Sequence, residues 1–80
     1  MQKIRPDLDI GAAIQAIRYA NNMTQDQVVA QMQLLGLPTS KSSYAKIETN
    51  RMNIKVSELI ALSRIFHVDC GAFFSTLKTH

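Results

Sequence analysis

The residues best able to do chemistry lie between Thr39 and Ser57. Lys41, Lys46, Arg51 and Lys55 stand there against a single acid, Glu48, among the hydroxyls of Ser40, Ser42, Ser43 and Thr49. The rest of the chain balances Lys3, Arg5, Arg18, Arg64 and Lys78 against Asp7, Asp9, Asp26, Glu58 and Asp69, so the whole net charge of +3 falls in this stretch. Ammonium, guanidinium and hydroxyl groups gathered on a short segment donate hydrogen bonds and attract a polyanion. If the segment is helical, steps of about 100° put Lys41, Ser42, Ala45, Lys46 and Thr49 on one side and Ser43, Tyr44 and Ile47 on the other. A basic edge opposite an apolar edge is either a solvated surface or a reading surface, and charge alone leaves both open.

Other chemistries fare worse. His67, Asp69 and Cys70 are close in sequence, but they do not supply the four ligands of a tetrahedral zinc site. No glycine-rich phosphate loop is present. Nucleophilic catalysis needs a base oriented by a third group, and a short helical chain offers little cavity to enclose one. No enzyme activity, metal or cofactor is therefore expected. The lone Cys70 allows no internal disulfide and fits a reducing cytosol. The opening MQKIRPDLD is too polar for a signal peptide, and no run of about 18 apolar residues exists, so a cytoplasmic location away from membranes is expected. Single-stranded RNA binding is disfavoured because the basic face carries no aromatic stacking residues.

The elements that must position the basic face are read from periodicity and caps. With 80 residues the chain forms one domain, with a core over about residues 9–77. Ile10, Ala13, Ile14 and Ile17 make one helical stripe over about 9–20, with Asp7 or Asp9 as cap and Asn21-Asn22 as terminator. Thr24-Gln25-Asp26-Gln27 reads as a capping box that opens a second helix over about 25–35, with Val28, Met32 and Leu35 on one face. Gly36 suits the position after that helix, and Pro38 stops it from resuming. Thr39 or Ser40 can cap a third helix over about 40–49, which Asn50 closes. Val56, Leu59, Ile60, Leu62, Ser63 and Phe66 mark a fourth over about 55–66. Its cap is open between Asn53 and Lys55. Asp69 can cap a short fifth helix containing Phe73, Phe74 and Leu77. No period-2 pattern appears, so the expected class is all-α with five helices.

Thr24-Gln25 opening helix 2, then Ser40-Lys41-Ser42-Ser43-Tyr44-Ala45-Lys46-Ile47-Glu48, then Asn50-Arg51, resembles the Cro and phage-repressor family of DNA-binding domains, the xenobiotic-response-element type. The resemblance spans about residues 9–74 and implies a lambda-repressor-like fold with a helix-turn-helix formed by helices 2 and 3. It implies that Lys41, Ser42 and Lys46 face the major groove, with Ser43 at its boundary and Ala45 allowing close approach. Gln25 at the start of helix 2 takes the role of a phosphate contact, and Asn50, Arg51 and Lys55 hold the backbone beyond helix 3. Arg18 and Glu48 match the family's internal ion pair. Two features depart from the pattern. The span from Thr24 to Glu48 is longer by about five residues, read as an added turn of helix 2 followed by a connection from Gly36 to Thr39. Lys41 and Ser42 stand where many members have a large amide or an arginine.

The function implied is a sequence-specific double-stranded-DNA-binding transcriptional regulator, of repressor type, acting as a homodimer on paired half-sites. A regulatory protein partner is a further expectation. The alternative is a protein-interaction module of the same fold, antitoxin-like, that binds no specific DNA.

Overall fold

The computed structural model describes residues 10–75, and the described chain is all-helical. Helix α1 is Ile10–Ala20, α2 Gln25–Leu34, α3 Lys41–Glu48, α4 Val56–Phe66 and α5 Ala72–Ser75. Five helices are thus present where five were expected, and no strand occurs among the described residues. Asp7, Asp9 and Leu77 lie outside them.

Local chemistry fixes most of the helix ends. Thr24 accepts from the Gln27 amide at 3.1 Å while the Gln27 side chain accepts from the Thr24 amide at 2.9 Å, a reciprocal cap. Ser40 caps α3 by accepting from the Ser43 amide at 3.1 Å. Lys55, without an acceptor in its side chain, precedes α4, and Glu58 reaches back to its amide at 2.8 Å. Four helices close the same way, on a left-handed residue: Asn22, Gly36, Asn50 and His67. The amide after each bonds a carbonyl five residues back: Met23 to Arg18, Leu37 to Met32, Arg51 to Lys46 and Val68 to Ser63. Orphan carbonyls at each helix end are thereby satisfied.

The core is formed by Ile14, Val28, Val29, Met32, Tyr44, Ile47, Leu62, Phe66 and Phe73, with Ile10, Ile17, Leu37, Ile54 and Leu59 packed against it. Phe66 and Phe73 meet edge to face at 6.4 Å between centroids. Tyr44, on the side of α3 opposite the basic face, lies fully inside. The apolar stripes need three corrections. Leu35 is 46% exposed, because the chain reverses at Gly36 and returns Leu37 to the core in its place. Val56 is 74% exposed, and Ile54 ahead of α4 supplies the contact instead. Ile60 falls off the inward stripe of Leu59, Leu62, Ser63 and Phe66 and stays exposed.

Helix α1 meets the end of α3 backbone to backbone. A Cβ on Gly11 would stand 2.5 Å from the carbonyl oxygens of Ile47 and Glu48, so only glycine fits there. The Gly11 amide donates to Asn50 Oδ1 at 3.0 Å. This contact, with the Arg18–Glu48 pair, sets where α3 sits.

Candidate nucleic-acid interface

Helix α3 buries Tyr44, Ile47 and Glu48. Lys41, Ser42, Lys46 and Thr49 are exposed, and Ala45 is half-buried beside them. The exposed set spans about 140° of the helix, a single outward face. Its one acid, Glu48, is turned inward, so the outward face carries cations and hydroxyls without an acid of its own. A helix about 10–12 Å across matches the width of a B-DNA major groove.

Behind this face lies a polar cluster that holds α3. Arg18 Nε donates to Glu48 Oε2 at 2.6 Å and Nη2 to Oε1 at 3.0 Å, a bidentate pair with side chains 6% and 0% exposed. Arg18 Nη1 donates to the Met23 carbonyl at 2.9 Å. The Tyr19 ring lies 4.5 Å from the guanidinium carbon, a cation–π contact on the solvent side. Burial pushes the Glu48 carboxyl up, but the bonds from Arg18, then the neighbouring Tyr44 hydroxyl and Gln25, hold it below its ordinary value. The Glu48 bond likewise holds Arg18 above the usual guanidinium range. Burial, and next the adjacent carboxylate, push the Tyr44 phenol up. Its hydroxyl has no hydrogen-bond partner of good geometry among the described residues.

The remaining candidates divide. Gln25 opens α2, but its amide Nε2 donates to Glu48 Oε1 at 3.0 Å, which ties the start of α2 to the end of α3. Asn50 closes α3 and its Oδ1 is engaged by Gly11, a structural duty in addition to any contact it makes outward. Ser43 is half-buried beside its cap, with its hydroxyl 3.2 Å from that of Ser40. Arg51 is exposed, with Nε 3.5 Å from Thr49 Oγ1, and Lys55 is exposed ahead of α4. Lys41 is exposed, and its ammonium stands 3.3 Å from Asp26 Oδ1. Asp26 was legible only as a first-turn acid of α2, because its partner comes from another helix. Gly11 carried a signal, a glycine inside a helical stripe, that periodicity passes over.

The connection from α2 to α3 is anchored back to α2. Gln33 Nε2 donates to the Thr39 carbonyl at 2.8 Å, and Thr39 is buried. Among the described residues no group of three His, Cys, Asp or Glu could hold a metal ion, and no helix is long and apolar enough to cross a membrane. Compared with known proteins, the chain matches no family model, no curated protein and no solved structure.

Proposed function

We propose that this chain is a sequence-specific double-stranded-DNA-binding regulator of repressor type, built on a lambda-repressor-like helix-turn-helix of α2 and α3. The observation that carries the reading is the outward face of α3, where Lys41, Ser42, Ala45 and Lys46 lie together on a helix fixed from behind by Arg18, Glu48 and Gln25. A rigidly held helix with a small, donor-rich face can enter the major groove, where lysine donates to guanine O6 and N7 and serine bonds several base edges. Gln25 keeps a second amide hydrogen, and a helix start carries the positive end of the dipole, so the start of α2 suits a phosphate even though the Gln27 amide is spent on the Thr24 cap. Arg51 and Lys55 would grip the backbone beyond α3. One small domain buries little surface on DNA, so a homodimer on half-sites about 34 Å apart is the mode proposed, acting in the cytoplasm.

Selection from a random duplex library at about 0.15 M salt, then titration across salt, tests the reading. The expected result is one enriched palindromic site, with log affinity falling by about 0.9 per neutralised phosphate for each tenfold rise in salt. Failure to enrich any site would overturn it.

A second reading, a protein-interaction module without specific DNA binding, has one observation in its favour. Leu34, Val56 and Ile60 are exposed, with Leu34 at 79%. Under that reading Lys41→Glu with Lys46→Glu leaves function unchanged.

A further inference from the structure

Asp26 and Lys41 form an ion pair between the first turns of α2 and α3, at 3.3 Å, with side chains 72% and 59% exposed. Exposed pairs of this kind add little to stability, so the fold has little need of it. Asp26 suits the α2 dipole with or without Lys41. The pair does, however, place an acid at the one spot where the proposed reading face meets the proposed phosphate site. A negative charge there weakens DNA binding unless it does something else.

Lysine is a flexible stem that ends in three donors. An untethered ammonium on the first turn of a groove-facing helix swings to the nearest phosphate, where it binds every sequence alike. Held by one carboxylate oxygen, it keeps two donors, and the carboxylate repels the phosphate that would draw it away. Two donors on one nitrogen suit the paired acceptors O6 and N7 of guanine. We infer that Asp26 is a positioning residue: it holds Lys41 off the phosphate backbone and makes it a reader of guanine at one position of each half-site. The inference rests on the DNA-binding reading above.

The test compares wild type, Asp26→Asn, Lys41→Gln and the double variant by duplex selection, with titration of the selected site and of an unselected duplex. Wild type should select guanine at one position per half-site. Asp26→Asn should flatten that position, steepen the salt slope on unselected duplex by about 0.9 and tighten binding to it roughly fivefold at about 0.15 M salt, as one more phosphate is engaged. Lys41→Gln should flatten the same position, and the double variant should flatten it no further. An Asp26→Asn protein that keeps the guanine preference overturns the inference, as does one that flattens a position Lys41→Gln leaves intact. A change in melting temperature alone, with preference unchanged, shows Asp26 to be a helix-start residue only and also overturns it. If wild type enriches a site and these variants fail the pattern, only this inference falls. If wild type enriches none, the DNA-binding reading falls with it.

Discussion

Arg18 and Glu48, 30 residues apart in sequence, meet through two hydrogen bonds of 2.6 and 3.0 Å in the protein interior. Each group also has a further partner: Arg18 donates to the Met23 carbonyl, and Glu48 accepts from Gln25. The pair therefore joins α1, the turn after it, the start of α2 and the end of α3. A buried charge pair adds little over an apolar pair of the same shape, but losing one member leaves the other stranded.

Glu48→Ala should accordingly destabilise by about 3–5 kcal/mol. A chain of this size has about 4–12 kcal/mol in total, so the variant should lose a large share of its stability. Replacing both members, Arg18→Met with Glu48→Leu, should recover part of the loss. Urea midpoints of the three proteins check this. A double variant no more stable than Glu48→Ala would show that the bonds themselves, rather than the stranded charge, carry the effect.

The same carboxylate sets a pH dependence. Its folded pKa lies below its ordinary value of 4.5, so the unfolded chain takes up the proton first. The stability it contributes is fully present above the unfolded value and is lost as pH falls through the folded one. Glu48→Gln, which keeps shape but not charge, should cost about 1.5–3 kcal/mol at neutral pH. That difference from wild type should shrink on acidification below the ordinary carboxylate range. Paired melts from neutral to strongly acid conditions measure it, and a constant difference would show that the charge contributes nothing.

The close approach of α1 to α3 predicts that Gly11→Ala is harmful although alanine is the better helix former. The added methyl meets two backbone oxygens at 2.5 Å and Asn50 Oδ1 at 2.8 Å, so α1 must shift away from α3. Overpacking of this kind costs about 1–3 kcal/mol. If α3 reads DNA, displacing it from α1 should lower DNA affinity by more than the loss of folded protein explains. Thermal melts together with titration of the selected site separate the two effects.

Much of this architecture was legible in the sequence for local reasons. The Thr24–Gln27 cap needs only four residues, and Asn22, Gly36 and Asn50 are of the types that tolerate a left-handed backbone. His67, which closes α4 the same way, is not such a signal, and the end of that helix had to be read from its apolar stripe. What stayed hidden depends on partners from distant segments. Gln25 reads as an exposed amide until α3 brings Glu48 to it, and Asp26 reads as a dipole-matched acid until Lys41 arrives. Val56 and Leu35 fit their stripes, yet each sits at a helix end, where Ile54 and Leu37 take the core position instead.

Asn50 offers a separation of backbone from side chain. It combines a φ of 61° with the bond from Gly11. Asn50→Gly keeps the turn and should lose about 1 kcal/mol for the missing bond. Asn50→Ala should lose that and a further 1–2 kcal/mol, roughly, for the left-handed backbone. Equal losses in the two variants would mean the turn is not the limiting feature.

Lys46 and Lys55 should differ in kind if α3 reads DNA. Lys46 lies on the outward face of α3, while Lys55 lies ahead of α4. Lys46→Ala should weaken the selected site by about 1–3 kcal/mol and relax preference at the base pair it meets. Lys55→Ala should weaken all sequences alike and lower the salt slope by about 1. Both side chains are exposed, so neither change should disturb folding, and circular dichroism melts provide the control. If Lys46→Ala behaves as Lys55→Ala does, the outward face of α3 lies along the backbone rather than against the bases, and sequence preference must come from Lys41 and Ser42 or from the shape of the duplex.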